Sequence, residues 1–312
     1  MKVYTLTLNP AYDVHAFCAQ FRAGHENLAD TSVKEAGGKG VNISRALTAS
    51  GVPNTAVIVI GSENGAEFRR ALAADRMQCI YCEREGRIRE NLTIHSPGNP
   101  ETRLSFSGFP VDERVLSEIE GRLDVDADTV VAFTGRVPSG IPLCAVKSFL
   151  LRLRQKGARI VLDSKSFALA DMLDVAPWLV KPNQEEISEL FGCEVNGFDQ
   201  TVELARQLAQ GGIAHVMISL GEQGAALLHQ GQLWVAAPPA VEAASTIGAG
   251  DSSIAGFIAA AAAGEKPAMC LRNAVAYGTA ACLTPGTQPP RGEDIRRILP
   301  QIRLTGGNNH AV

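Results

Sequence analysis

Thr246-Ile247-Gly248-Ala249-Gly250-Asp251 is the stretch on which the reading of this chain turns. It runs from an irregular segment into Ser252–Ala263 (SSIAGFIAAAAA), poor in charge and rich in small residues, which reads as a helix. Gly248 and Gly250 carry no Cβ, so the backbone there can approach a ligand closely. The first N–H groups of a helix have no partner within it, and with the helix dipole they favour an anion. A carboxylate at Asp251 repels a phosphate bound there, so its position calls for a reason. One reason is capping, since Asp is common at helix starts. The other is catalytic: Asp251 takes a proton from a hydroxyl while the amides of Gly248, Ala249 and Gly250 stabilise a phosphoryl group in transfer. The second is the chemistry of a small-molecule kinase, and the remainder of the chain has to supply its other parts.

The bulk properties suit such an enzyme. A chain of 312 residues is long enough for one large α/β core with a small appendage. The net charge of −4 gives no basic surplus for nucleic acid or membrane, so any anionic ligand must be held by a few local cations. Seven cysteines in a chain this long make no disulfide scaffold. The single C-x-x-C, Cys79 and Cys82, lies in a run that reads as a strand, which turns the two thiols to opposite faces. The first residues, MKVYTLTLNPAYD, read as a strand and turn, not a signal peptide. The apolar stretch 255–263 is too short to span a bilayer, and the expectation is a cytoplasmic protein.

A second glycine cluster, Gly37-Gly38-Lys39-Gly40-Val41-Asn42, opens a helix in which Ile43, Ala46 and Leu47 recur at helical spacing. It is not a Walker A loop, because the G-x-x-x-x-G-K-[S/T] spacing is absent. Three glycines around one lysine at a helix start still suit a polar ligand, with Lys39 on a phosphate and Asn42 on a hydroxyl. Strand Val3–Leu8 ends at Asn9-Pro10, and Asp13 follows near the strand end where open α/β sheets bind ligands. It reads as a hydrogen-bond acceptor for ligand hydroxyls or as a turn residue.

Elsewhere strands and helices alternate. Strands are expected at 55–61, 129–133, 159–163, 178–183 and 215–220, with helices at 67–74, 112–122, 143–155, 184–191, 199–210 and 268–282. The alternation gives a mostly parallel sheet between helices. Residues 11–33 and 85–108 break the pattern with short β-prone runs around turns such as Ser96-Pro97-Gly98-Asn99-Pro100, and read as a small β lid. The core is then 1–10, 34–84 and 109–312. Arg89 and Asn91 share one strand face in the lid, and Arg103 lies nearby; an arginine fork suits a phosphate, though edge charges also deter aggregation. Arg136 follows strand 129–133 at its C-terminal mouth. Asn183 and Glu186 form an N-x-x-E capping box, and at a strand-to-helix junction the pair also suits the waters around Mg²⁺. Gly221-Glu222-Gln223-Gly224 is a further loop whose amides suit phosphates, although many hairpin turns look the same. A dinucleotide fingerprint would need G-x-G-x-x-G after the first strand, where Asn9-Pro10-Ala11 stands instead.

Gly37-Gly38-Lys39-Gly40-x-Asn42 and Thr246-x-Gly248-Ala249-Gly250-Asp251 together resemble the ribokinase/PfkB sugar kinase family over nearly the whole length. Asn9-Pro10-Ala11-Tyr12-Asp13, Arg89–Asn91, Phe106–Phe109 and Lys181-Pro182-Asn183 are similar to its branch of 1-phosphofructokinases and tagatose-6-phosphate kinases. The resemblance implies Asp251 as base and the amides of 248–250 as anion hole. It places Asn183 and Glu186 by Mg²⁺, and Lys181 and Ser219–Gly224 (with Ser219, Gly221, Glu222 and Gly224) by ATP. It puts Asp13, Gly38 and Asn42 on the sugar, and Lys39 and Arg89 on the phosphate already attached to it. The implied acceptor is a phosphorylated ketohexose, fructose 1-phosphate before tagatose 6-phosphate or fructose 6-phosphate, and the implied assembly is a homodimer through the lid. A protein that kept the fold and lost catalysis would not need all these residues intact. The chain departs from the branch at Arg136, where a small residue is usual, and at Glu90, where an apolar one is. An unraised carboxylate pKa is no obstacle for this base, because little proton removal is needed before attack.

Overall fold

The computed structural model describes residues 1–99 and 101–307, which leaves Pro100 of the turn expected at 96–100 outside the described residues. The chain runs β1 (Lys2–Thr7), β2 (Ala11–Phe17), β3 (Thr31–Gly37), α1 (Lys39–Ala49), β4 (Thr55–Gly61), α2 (Gly65–Ala74), β5 (Cys79–Arg84), β6 (Arg89–His95) and β7 (Thr102–Leu104). It continues with α3 (Arg114–Arg122), β8 (Thr129–Thr134), α4 (Leu143–Gln155), β9 (Arg159–Asp163), α5 (Leu169–Val175), β10 (Leu179–Val180), α6 (Gln184–Phe191) and α7 (Phe198–Gln210). The last part is β11 (His215–Ser219), β12 (Ala225–His229), β13 (Gln232–Ala237), α8 (Ala249–Ala262), α9 (Pro267–Ala281), α10 (Gly292–Ile298) and β14 (Arg303–Gly306).

Ten strands form the main sheet in the order β14-β13-β12-β11-β10-β9-β8-β1-β4-β5. The pairings from β5 through β11 are parallel, and β12, β13 and β14 are added antiparallel. β8 shows why the sheet is buried on both faces: Val131 and Phe133 enter one apolar layer, Val130 and Ala132 the other. From β1 the chain first builds outward to β4 and β5, then crosses to β8 and builds the other way. The crevice outside the C-terminal ends of β1 and β8 is therefore the topological switch point, where open α/β sheets hold ligands.

α8 is alanine-rich because it is covered on nearly all sides, with Ile254, Phe257 and Ile258 fully buried. It begins at Ala249, three residues before the start read from sequence. The second sheet, β3-β2-β6-β7, is the expected lid. Its strand β3 extends to Gly37, so the sheet runs past the boundary drawn at 33 and ends on the second glycine cluster. Tyr12 on one lid face packs edge-on against Phe68 of α2, while Asp13 on the other face lines the crevice. Two elements escape sequence reading: α5, only seven residues long, and β14, a polar edge strand.

Candidate active site

The two glycine clusters meet at the switch point. Asp251 sits in the first turn of α8 and is only 8% exposed. Asn42 of α1 donates its side-chain N–H to Asp251 Oδ2 at 2.9 Å, joining residues 209 apart in sequence. Gly248 is the N-cap of α8 with φ of 80°, a left-handed conformation that a side chain strains. Gly250 lies close to a lysine: a Cβ there would stand 3.1 Å from Lys181 Nζ, which would have to give by a few tenths of an ångström.

Beneath them lies a charge cluster whose centre the sequence did not reveal. Asp163, at the end of β9, accepts from Lys39 Nζ at 2.8 Å. Burial pushes its carboxyl up, but the ammonium groups of Lys181 and Lys39 outweigh this and hold it below the usual range. Burial likewise opposes the charge on Lys39, and the carboxylates of Asp163 and Asp251 override it and raise its pKa. Lys181 is buried and reaches Ser219 Oγ at 3.5 Å. For Asp251, burial dominates and Asp163 adds to it, against Lys39, the Asn42 hydrogen bond and Lys181; the carboxyl is pushed up to about 6. At pH 7 Asp251 is still mostly ionised.

The cleft above this cluster has a volume of about 800 Å³. Asp13, Gly38, Lys39, Asn42, Arg89, Asn91, Arg103, Arg136, Lys181, Asn183, Gly248, Gly250 and Asp251 all line it, so the sequence-expected residues largely converge. Their partners differ from expectation on the lid side. Asn91 and Arg103 donate to Asp13 Oδ1 at 3.1 and 2.9 Å, and so hold the acceptor in place. Arg89 donates to the carbonyls of Phe106, Asn9 and Pro10, at 2.7, 3.3 and 3.4 Å. Its pKa is lowered by burial and by the nearby guanidinium groups of Arg103 and Arg136, partly offset by Asp13. Arg136 is exposed at the cleft. Glu90 lies on the opposite lid face, where it pairs with Lys34 at 2.9 Å. Of the two departures from the family pattern, then, only Arg136 lines the cleft.

On the other flank, Asn183 caps α6: its side chain accepts from Glu186 N–H at 2.7 Å and Glu186 Oε2 accepts from Asn183 N–H at 3.1 Å. Asn183 also pairs with Ser219 through a backbone bridge. Gly221 and Glu222 belong to a short 3₁₀ turn that Gly224 caps, and none of the three lines the cleft. Ala249 and Ser219 do not line it either, and Glu186 lines a smaller cavity of about 370 Å³ that shares Asp163 and Lys181 with the cleft. Gly224 has a packing role, because a Cβ there would strike the Ala236 carbonyl. Among the described residues no group of three His, Cys, Asp or Glu forms a metal cage. One capping-box carboxylate with a spare oxygen does fit Mg²⁺, which keeps most of its waters and is otherwise held by substrate phosphates. Sequence reasoning missed Asp163; its only signal was an acidic residue ending a strand.

An α/β sheet with a glycine-backed carboxylate at its switch point, opposite a cationic wall, defines a small-molecule kinase. Residues 5–293 match the model of the pfkB family carbohydrate kinases, and the chain belongs to that family. It is 35% identical over 291 residues to a 1-phosphofructokinase of Escherichia coli, covering 90% of each chain. It is 28% identical over 306 residues to a 1-phosphofructokinase of Bacillus subtilis, covering 97% of this chain and 99% of that one. Phosphofructokinase-2 from Escherichia coli, solved in complex with substrates and products, superposes with a TM-score of 0.91 at 28% identity, over 96% of this chain and 99% of that one. Arabidopsis thaliana ribokinase, at 20% identity and a TM-score of 0.76 over 95% of this chain and 98% of that one, shares the fold. No helix among the described residues is long and apolar enough to cross a membrane.

Proposed function

We propose that the chain transfers the γ-phosphoryl group of MgATP to a free hydroxyl of a ketohexose monophosphate, first of all fructose 1-phosphate, giving fructose 1,6-bisphosphate. One observation carries this. The cleft holds five basic side chains, Lys39, Arg89, Arg103, Arg136 and Lys181, against three carboxylates, Asp13, Asp163 and Asp251, in a chain of net charge −4. A site for a neutral sugar has no use for that surplus, whereas a phosphosugar meeting a nucleotide brings several negative charges. The 1-phosphofructokinases among its relatives favour fructose 1-phosphate. Arg136, the departure that does line the cleft, keeps fructose 6-phosphate and tagatose 6-phosphate as the second reading.

In the mechanism, Asp13, held by Arg103 and Asn91, accepts from sugar hydroxyls. Arg89 and Arg136 face the phosphate the sugar already carries. Lys39 stands between that phosphate and Asp163. The sugar hydroxyl lies against Asp251, which receives its proton as the oxygen bonds to phosphorus. The amides at 248–250 stabilise charge on the transferred group. Asn183 and Glu186 would hold the waters of a Mg²⁺ ion, which would supply charge neutralisation on the nucleotide phosphates. Lys181 and the 219–224 loop border the nucleotide. Substrates of this kind put the enzyme in the cytoplasm.

The test is a coupled ADP-release assay with fructose 1-phosphate, fructose 6-phosphate, tagatose 6-phosphate, fructose and ribose. We expect the highest kcat/KM on fructose 1-phosphate. Activity confined to the unphosphorylated sugars overturns the reading. A second copy of the chain is the proposed partner. Phe17, Val33 and Leu104 on the lid strands are 40%, 50% and 49% exposed, and Leu28 in the lid loop 84%. Phe17 and Val33 share one lid face and Leu104 lies on the other, and exposed apolar side chains of this kind suit burial against a partner. Light scattering is expected to give twice the chain mass, and Val33→Asp to lower it; a monomeric parent contradicts the assignment.

A further inference from the structure

Glu35 on β3 is paired directly opposite Asp13 on β2, so the lid carries two carboxylates side by side on one face. Like charges in that position destabilise an antiparallel pair, and each needs its own partners. Asp13 has Arg103 and Asn91. Glu35 reaches out of the lid into the core. Its Oε2 accepts from the backbone N–H and the hydroxyl of Thr287, at 3.1 and 2.9 Å, and its Oε1 accepts from the Gln288 side chain. His15 Nε2 stands 4.0 Å from the same carboxylate, and its other nitrogen bonds His95 at 2.9 Å.

From Thr287 hydrogen bonds, linked by short steps of backbone, lead to the anion-hole loop. The Thr284 hydroxyl bridges the carbonyls of Gln288 and Ala281, at 3.0 and 2.8 Å. The next carbonyl, Cys282, accepts from Ala244 N–H at 2.7 Å and Ser245 N–H at 3.3 Å. The Ser245 hydroxyl accepts from Ile247 N–H at 3.2 Å, one residue before Gly248. Thr284 and Thr287 are 2% and 4% exposed, so this is interior structure and not a surface crossing. Within the lid, Gly37 lies two residues beyond Glu35, and a Cβ there would strike the Asp13 carboxylate.

We propose that Glu35 is a positioning residue: through Thr287 and Gln288 it registers the lid, and with it Asp13, on the loop that carries the anion hole. The inference rests on the phosphosugar kinase reading for its effect on turnover. Its structural half stands alone. Asp13 meets the sugar and Gly248–Asp251 meets the reacting group, so the distance between the two sets how well the hydroxyl lies against Asp251. A displacement of about 1 Å in such a site is felt strongly in rate.

The experiment compares Glu35→Ala, Glu35→Gln and Thr287→Val with the parent. Hydrogen exchange without ligand reads the tie directly. In Glu35→Ala, amides of residues 11–17 and 31–37 are expected to exchange faster while those of 55–61 and 129–134 do not change. KM for the phosphosugar is expected to rise about tenfold, the scale of one lost charge-assisted hydrogen bond, with KM for ATP unmoved. Glu35→Gln, which still accepts from Thr287, restores most of the parent's behaviour, and Thr287→Val falls between. Unchanged exchange in the lid strands of Glu35→Ala overturns the proposal, as does an equal rise in both KM values. A parent that uses no phosphosugar defeats the substrate reading instead, and the exchange result still decides the tie.

Discussion

The two walls of the cleft are built on opposite plans. On the core wall, Asn42, Lys39, Asp163, Lys181 and Asp251 interlock at the ends of buried strands and helices, each charge facing another. On the lid wall, Arg89 is spent on three backbone carbonyls and Arg103 on one carboxylate, both carried by a four-stranded sheet. The core wall has fixed dipoles and charges in place before a substrate arrives, which is what stabilising a transferring phosphoryl group requires. The lid wall has spare donors on a thin support, which suits selecting and enclosing a ligand. The contrast predicts that core-wall changes act on kcat and lid-wall changes on KM.

Asp251→Asn should show the largest effect. Asn at this position still accepts the Asn42 hydrogen bond, so the fold stays intact while the proton acceptor is lost. A fall in kcat of at least about 10²–10³ is expected, the size seen when one stabilising group leaves such a site. Wild-type-like turnover would remove Asp251 from the mechanism. Stability should move the other way. A carboxyl raised from 3.8 to about 6 in the folded state binds a proton there between those pH values when the unfolded chain does not. Its contribution is therefore most favourable at low pH and is lost as pH rises through about 6. Above that pH the ionised buried group costs roughly 3 kcal/mol by the usual conversion of pKa shift to free energy. Asp251→Asn is thus expected to melt higher than the parent at pH 8, and an unchanged melting curve would show that the burial is relieved in solution.

The same shift sets the pH profile, the next effect in size. Turnover at saturating substrate should be level above pH 7 and fall about tenfold per unit below about pH 6, as Asp251 takes up a proton. An acid limb centred near 4 would mean the base titrates as an ordinary carboxyl.

Lys39→Met probes the boundary between the walls, because Lys39 sits on the core wall and in the proposed mechanism meets the phosphate of the sugar. We expect KM for the phosphosugar to rise roughly tenfold to a hundredfold, the scale of one charge-assisted contact, with a much smaller change for ATP. Equal effects on both substrates would move Lys39 to the nucleotide side.

What the sequence disclosed and what it hid follow from how local each signal is. Gly248, Gly250 and Asp251 were legible because an acid after paired glycines at a helix start conflicts with an anion site unless it has work to do. The capping box at Asn183 and Glu186 was legible because both partners lie within four residues. Asp163 was not, since its partner Lys39 lies 124 positions away and nothing nearby marks it. Arg103 and Asn91 were placed in the right cleft, but their hold on Asp13 depends on the register between β2, β6 and β7, which only the folded sheet fixes. The pKa of Asp251 was hidden for the same reason: it comes from burial under α1 and beside Asp163, not from neighbours in the chain.

Asn183 offers the smallest and most discriminating comparison, because its geometry already satisfies a purely structural role. Its side chain accepts from Glu186 N–H, and Glu186 returns the bond to the Asn183 backbone, so two orphan donors at the start of α6 are covered without any ligand. Asn183→Ala removes one of them and should cost about 1 kcal/mol of stability. In a chain of this size that is a drop of about 2–4 °C at most in melting temperature. Asn183→Asp keeps the cap and adds a negative charge on the flank of the cleft proposed for the nucleotide. If Asn183 is only a cap, the Asp variant melts like the parent and has the parent's Mg²⁺ requirement, while the Ala variant alone is weakened. If the pair also orders the waters around Mg²⁺, both variants shift the Mg²⁺ concentration for half-maximal rate, and the Asp variant does so with no loss of melting temperature. Separating the two readouts therefore shows whether this corner belongs with the fixed core wall or serves the ligand as the lid wall does.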